Sequence, residues 1–231
     1  MADLLSRAFD NPPITVEERH IPEGVEDLVC LIEDGEIIAT SPFWSLEQSF
    51  LMVNVDRYRT GTRQSEIGDF PDVLTGLSEV EFTVRGFPHS AKEKLLLVLI
   101  SRFIEYRALE SEAGTFHATF QRLSRLDDEY GTRKIYKCLG ESAVKTHVYG
   151  IQDDPTAVEG LNVTVHEGSS VEYRRSWVVL FQPPDGSRTD EARKGPMALV
   201  AVEIDSNVWR GLWTYDANRV SRLQSYLAQT F

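Results

Sequence analysis

Alternating and periodic apolar positions divide the chain into an N-terminal part of short elements, a central helix and a strand-rich C-terminal part. Residues 14–19 alternate between apolar and polar side chains, as a half-buried strand does. Asp34 and Gly35 separate the apolar runs 27–33 and 36–40, and this arrangement predicts a β-hairpin. The other short elements predicted here are helices at 3–9, 45–55 and 72–77 and a strand at 80–85.

A long helix is predicted over residues 90–112, because apolar side chains recur there at helical spacing. Residues 115–123 fit either a strand or a helix, and the alternation of apolar residues after Gly114 favours a strand that leads into a turn. A helix weakened by Gly131 is predicted over 127–139.

The C-terminal part changes to short runs rich in valine, tryptophan and tyrosine, separated by turn residues. Strands joined without intervening helices predict an antiparallel sheet, which the helix predicted at 217–229 would cover. Residues 187–194 are polar between two turns and are interpreted as a mobile loop or lid. The predicted strands are 146–151, 161–166, 176–182, 197–205 and 210–214.

These elements predict the α+β class. An N-terminal α/β segment covers residues 1–78, and residues 79–231 hold the long central helix and the antiparallel sheet with flanking helices. The second part has the element order of PAS- and GAF-like sensor modules, which is a fold-level analogy. The two parts are expected either as separate domains or as one continuous fold.

Composition narrows the class of protein. The chain has 231 residues and a formal net charge of −12, which excludes a generally basic surface for nucleic acid. The N-terminus lacks a signal-peptide pattern, and charged residues flank the longest apolar run, 95–100. We therefore expect a cytoplasmic protein without membrane insertion. Cys30 and Cys138 lie in apolar surroundings and are predicted to be buried, reduced thiols.

The segment SRFIEYRALESEAGTFHATFQRLSRL at 101–126 resembles the core signature of the DICT sensory domain family. The resemblance continues in KTHVYG (145–150), SWVVLF (176–181) and GLWTYD (211–216), and covers roughly 79–231. The family is associated with diguanylate cyclases and two-component systems and also occurs as standalone haloarchaeal proteins. The resemblance implies signal transduction without naming a ligand, with control of cell shape or motility, or a light or redox response, as outputs.

His117 and Gln121 are the first choice for a sensing site. Four residues apart on a strand, they share one side, and together with Arg122 they match the family signature. The alternative is a histidine satisfied inside a polar network. Arg102 and Glu105 share a helix face and could hold an anionic or hydrogen-bonding ligand, whereas an ion pair that orients the helix is the more common arrangement.

Tryptophan and tyrosine side chains are spread over the predicted C-terminal strands. They could line a site for a planar ligand such as a flavin, haem, nucleobase or tetrapyrrole, so the cofactor stays unknown. Core packing is the favoured alternative. The aromatic residues concerned are Tyr149, Trp177, Trp209, Trp213 and Tyr215.

Basic and titratable residues elsewhere give weaker signals. Arg57, Arg59 and Arg63 could cradle a phosphate, although a solvated basic loop is the better interpretation. His147 and His166 can meet across neighbouring strands, but no third ligand is evident, and the histidine spacings do not predict a metal site.

No motif of a known catalytic class occurs in the sequence. The leading hypothesis is a non-catalytic sensory protein that signals through a protein partner or an oligomer. The alternatives are a scaffold without ligand and, last, a nucleotide-acting enzyme that would use the arginine-rich loop together with His117.

Overall fold

Nine strands and seven α-helices make up the described part of the molecule. The computed structural model describes residues 7–9, 14–17, 19, 27–54, 70–85, 94–111, 113–128, 131–184 and 195–231. The strands are β1 Leu28–Glu33, β2 Glu36–Pro42, β3 Phe82–Arg85, β4 Ala113–Arg122, β5 Ala143–Ile151, β6 Thr164–Glu167, β7 Ser176–Gln182, β8 Met197–Asp205 and β9 Val208–Thr214. The helices are α1 Phe43–Asn54, α2 Asp72–Gly76, α3 Leu95–Ser111, α4 Arg125–Asp128, α5 Thr132–Glu141, α6 Val171–Arg175 and α7 Ala217–Thr230.

Seven strands form one mixed sheet in the order β3-β9-β8-β7-β4-β5-β6, and β1 and β2 form a separate antiparallel pair. The predicted α+β class is confirmed. The antiparallel prediction is wrong at one side of the large sheet, where β4 pairs in parallel with β5 and β5 in parallel with β6. Helix α5 lies between β4 and β5 along the chain, and such a crossover permits the parallel pairing.

Helices cover both faces of the large sheet. Helices α3 and α5 pack on one face, around buried residues such as Phe116 and Ala118, and we call this the α3 face. Helices α6 and α7 pack on the opposite face, where Leu180 and Val220 meet, and we call this the α7 face. Successive residues of the central strands β4, β5 and β7 therefore point alternately to two covered faces.

The hairpin of β1 and β2 is confirmed at its predicted turn. Asp34 and Gly35 have φ values of +50° and +84°, as both central residues of a type I′ turn require. The inner residues Val29 and Leu31 pack against the same core that the α3 face uses. Cys30 points the other way and is exposed.

The structure contradicts some of the predictions made from the sequence. Cys30 is exposed and Cys138 is half-buried, so the prediction of two buried thiols is wrong: apolar neighbours along a strand do not fix which face a residue takes. Residues 14–17 form no strand, which corrects the prediction there. Residue 90, where the long helix was predicted to start, and the predicted loop at 187–194 lie outside the described residues.

Buried apolar residues from both predicted parts belong to one cluster. Leu46, Val73 and Leu74 of the N-terminal part lie in it together with Leu99 and Phe116. Among the described residues, no helix has both the length and the apolar character needed to cross a membrane.

Replacing Gly114 with alanine should lower the free energy of unfolding by roughly 1–3 kcal/mol. Gly114 has a φ of +117°, and an added Cβ would lie 2.5 Å from the carbonyl oxygen of Gln182. Urea denaturation measures the effect, with Gly131→Ala as a matched control: its φ is +97°, but a Cβ there meets no atom within 4 Å. Equal losses in the two variants would show that the close approach to β7 carries no cost.

Candidate functional site

A polar cluster lies on the α7 face where β4, β5 and β6 run in parallel. The register pairs His117 with His147 across β4 and β5, and Tyr149 with His166 across β5 and β6. Residues paired in register point to the same face of a sheet. These residues, His117, His147, Tyr149 and His166, form what we call the histidine–tyrosine cluster.

Hydrogen bonds and ring stacking hold the histidine–tyrosine cluster together. Nδ1 of His117 lies 2.9 Å from the hydroxyl oxygen of Tyr149, and Nδ1 of His147 lies 3.0 Å from Nε2 of His166. The rings of His117 and His147 stack at 4.8 Å between centroids, and those of Tyr149 and His166 at 4.3 Å. The rings stand side by side on the sheet, so ring edges rather than ring faces point away from it.

One atom of the cluster lacks a partner. His117 is only 4% exposed, and its Nε2 has no hydrogen-bond partner within the described part of the chain. Burial, and then the neighbouring His147 and His166, lower the pKa of His117 to about 4. Burial raises the pKa of Tyr149 to about 12. At neutral pH this site therefore offers an uncharged imidazole beside a protonated phenol.

Protonation of the other two imidazoles, those of His147 and His166, is also disfavoured in the folded protein. Burial lowers the pKa of His147, with further contributions from His166 and from the Lys145 ammonium group. Burial lowers the pKa of His166 as well. Both rings are half-buried, so they border solvent while His117 does not.

The C-terminal end of α7 contacts the cluster directly. The ring of Phe231, just beyond the helix, meets the ring of Tyr149 edge-on at 5.7 Å. The hydroxyl of Tyr173, on α6, donates a hydrogen bond to the carbonyl oxygen of Phe231. Leu227 completes this small apolar cluster. A change in the position of Tyr149 would therefore reach the end of α7.

Gln121 lies on the same face as His117, as the strand pattern predicts, but it bonds within the protein. Its Nε2 donates to the carbonyl oxygen of Ser176 at 2.8 Å, and its Oε1 accepts from Arg125. These contacts tie β4 to β7 and leave the Gln121 amide little capacity for a ligand. Arg122 is exposed at the end of β4.

Arg102 and Glu105 lie on helix α3, which packs on the opposite face of the sheet. Their ion pair measures 2.7 Å with both side chains more than nine-tenths buried. Arg102 also donates to Thr132, and the Tyr136 hydroxyl donates to Glu105 at 3.1 Å. This geometry favours the interpretation of an ion pair that fixes α3 against α5, and the structure does not bring the pair together with His117.

The aromatic set is divided between the two faces. Trp213 is fully buried and packs on Phe82 with 5.6 Å between centroids. Trp177 meets Trp209 edge-on at 5.8 Å, and its Nε1 donates to Ser101 on α3. Of the five aromatic residues considered for a planar ligand, Tyr149 lies in the histidine–tyrosine cluster, whereas Trp177, Trp209, Trp213 and Tyr215 pack in or against the core of the α3 face.

The meeting of His147 and His166 across neighbouring strands is confirmed. The addition of His117 to this pair was not predicted, because it depends on the parallel pairing of β4 with β5. In the part of the chain that the structure describes, no group of three or more histidine, cysteine, aspartate or glutamate residues is arranged to hold a metal ion. Arg57, Arg59 and Arg63 lie outside the described residues.

Comparison with known proteins adds no family: no family model, curated protein or solved structure matches this chain.

Proposed function

We propose that this chain is a cytoplasmic, non-catalytic sensory protein that binds a small ligand at the histidine–tyrosine cluster. The observation that carries the proposal is the Nε2 atom of His117, which is buried without a hydrogen-bond partner among the described residues. A buried polar atom without a partner costs free energy, and a bound molecule that supplies the partner recovers it.

The position of α7 supports a route from the ligand to a signal. Tyr149 bonds to His117 on one side and contacts Phe231 on the other. A ligand that moves the His117 ring would change the preferred positions of Phe231 and of the last turn of α7. A partner protein that reads this surface would then respond to the shifted population.

The DICT resemblance agrees with this location. The segment 101–126 contains His117, and the motif KTHVYG at 145–150 contains His147 and Tyr149. Three members of the cluster thus lie in the segments that carry the resemblance to a sensory family, which supports a sensory role for this part of the sheet.

Hydrogen exchange of α7 tests the coupling. In the small-molecule fraction of a lysate from its own host, the amides of α7 should exchange at a different rate than in ligand-free buffer of equal ionic strength. His117→Ala should abolish this difference, because the site loses the imidazole whose Nε2 has no hydrogen-bond partner among the described residues. Lys137→Gln, on the exposed surface of α5, should retain it. Equal exchange of wild-type α7 in both solutions would contradict the proposal.

The scaffold alternative rests on a different surface. The β1–β2 hairpin exposes apolar residues, and a groove of about 530 Å³ lies between β2 and α2. Contiguous exposed apolar side chains favour protein interaction sites. The residues concerned, which are 49–63% exposed, are Leu28, Ile32, Ile37 and Ile38 of the hairpin and Trp44 at the start of α1. Partner binding that survives His117→Ala but is lost in Ile37→Asp would favour the scaffold.

A further inference from the structure

The α7 face around the cluster carries no carboxylate on its strands, although the chain contains 36 acidic residues and has a net charge of −12. The strand register shows which side chains share this face. One row consists of Gln182, Thr115 and Lys145, and the next of Leu180, His117, His147 and Thr164. Donor groups and imidazoles occupy this part of the sheet in an otherwise acidic protein.

These two rows of side chains border solvent at one side. Lys145 and Thr164 are exposed and Thr115 is half-buried, whereas the adjacent His117 is closed off from solvent. The open side thus lies next to the His117 ring, whose Nε2 the described residues leave without a hydrogen-bond partner.

Among the residues that the structure describes, the elements packed over this face supply little negative charge to the imidazoles. On α6, the Tyr173 hydroxyl donates to the carbonyl oxygen of Phe231, and the half-buried Glu172 accepts a hydrogen bond from Ser170. The side chains that α7 and its following residue contribute to the apolar cluster here, including Leu227, are uncharged. On β5, the charged neighbour is the Lys145 ammonium group, which opposes protonation of His147.

We propose that the ligand of this site is a small oxyanion, of the carboxylate or phosphate type, and that it binds together with a proton. This inference rests on the proposed ligand-binding function and names the chemical class of the ligand. The oxyanion supplies the negative charge that the face lacks, and a protonated imidazole becomes its counterion.

The hydrogen-bonding capacity of the site fits this ligand. The protonated phenol of Tyr149 can donate to Nδ1 of His117, which leaves the ring proton of a neutral His117 on Nε2. That N–H, the Thr115 hydroxyl and the Lys145 ammonium group are donors suited to oxyanion oxygens. The bonded pair of His147 and His166 can take up the added proton, because each ring nitrogen of an imidazolium donates.

Sulfate is a suitable probe, since its charge stays constant between pH 5 and 8. In the full-length protein, NMR titration of the histidine rings should show that sulfate raises the pKa of His117 or of the His147–His166 pair, with sodium chloride at equal ionic strength as the reference. The apparent Kd should fall about tenfold for each pH unit lowered, as uptake of one proton requires.

Matched lysine variants separate a defined site from general screening. Lys145→Gln should weaken sulfate binding roughly fivefold, as loss of one charge contact does. Lys137→Gln, an exposed lysine on α5 that pairs with Glu141, should have no effect. Histidine shifts that sodium chloride reproduces, or equal losses in the two lysine variants, would overturn the oxyanion assignment.

The outcomes also distinguish this inference from the broader function. If sulfate fails but the host-purified protein carries an uncharged compound that His117→Ala loses, the sensory site stands and the oxyanion class is wrong. If sulfate fails and α7 shows no ligand-dependent exchange, both proposals fail.

Discussion

Replacing Arg102 with leucine should lower the free energy of unfolding by about 3–5 kcal/mol. The substitution leaves the buried Glu105 carboxylate without its cation, and among the described residues only the Tyr136 hydroxyl continues to donate to it. It also removes the donor to Thr132, which joins α3 to α5. Urea denaturation at pH 7 measures the change.

Two comparisons show whether the isolated buried charge causes the loss. Lys137→Leu removes one partner of the exposed pair with Glu141, and the unfolding free energy should change by less than about 1 kcal/mol. Changing Arg102 and Glu105 to leucine together should recover part of the stability, because no unpaired charge stays buried. A loss below about 1 kcal/mol in Arg102→Leu alone would refute the structural role assigned to this pair.

Acidification should destabilise the protein through His117. The pKa of His117 is lowered from the ordinary value of 6.5 to about 4, so the unfolded chain takes up a proton at a higher pH than the folded protein does. The free energy of unfolding is therefore unaffected by this titration above about pH 6.5 and falls as the pH is lowered towards 4. The loss due to His117 is on the order of 3 kcal/mol.

The comparison of wild type with His117→Phe isolates this effect from the titration of carboxylates. Unfolding free energies are measured at several pH values between 7.5 and 4. As the pH is lowered, the unfolding free energy of the wild type should fall more steeply than that of the variant. A difference that stays constant over this range would mean that His117 does not stay neutral in the folded protein.

Local patterns predicted much of the fold. Asp34 and Gly35 specified the hairpin, because few sequences fit a turn in which both central residues have positive φ. Apolar periodicity predicted most of α3, and the alternation around His117 gave its face correctly. These predictions depend on neighbours along the chain, which the sequence displays directly.

Features that depend on distant contacts were missed. The sequence predicts a helix between β4 and β5, but the pairing of these strands depends on contacts between distant residues, so the sequence pattern does not place His117 beside His147. Cys30 was assigned to the core from its apolar neighbours, although its side chain takes the outer face of the hairpin. Whether a strand residue such as Cys30 is buried depends on which face of the strand other elements cover, and the local sequence pattern does not show this.

Native mass spectrometry of the protein purified from its own host, with an absorbance spectrum of the same sample, would show whether a small molecule occupies the histidine–tyrosine cluster. We expect a bound small molecule on the wild type that His117→Ala loses and Lys137→Gln keeps, with both variants folded. An identical bound mass on wild type and His117→Ala would contradict the claim, because the ligand would then lie elsewhere than at the histidine–tyrosine cluster.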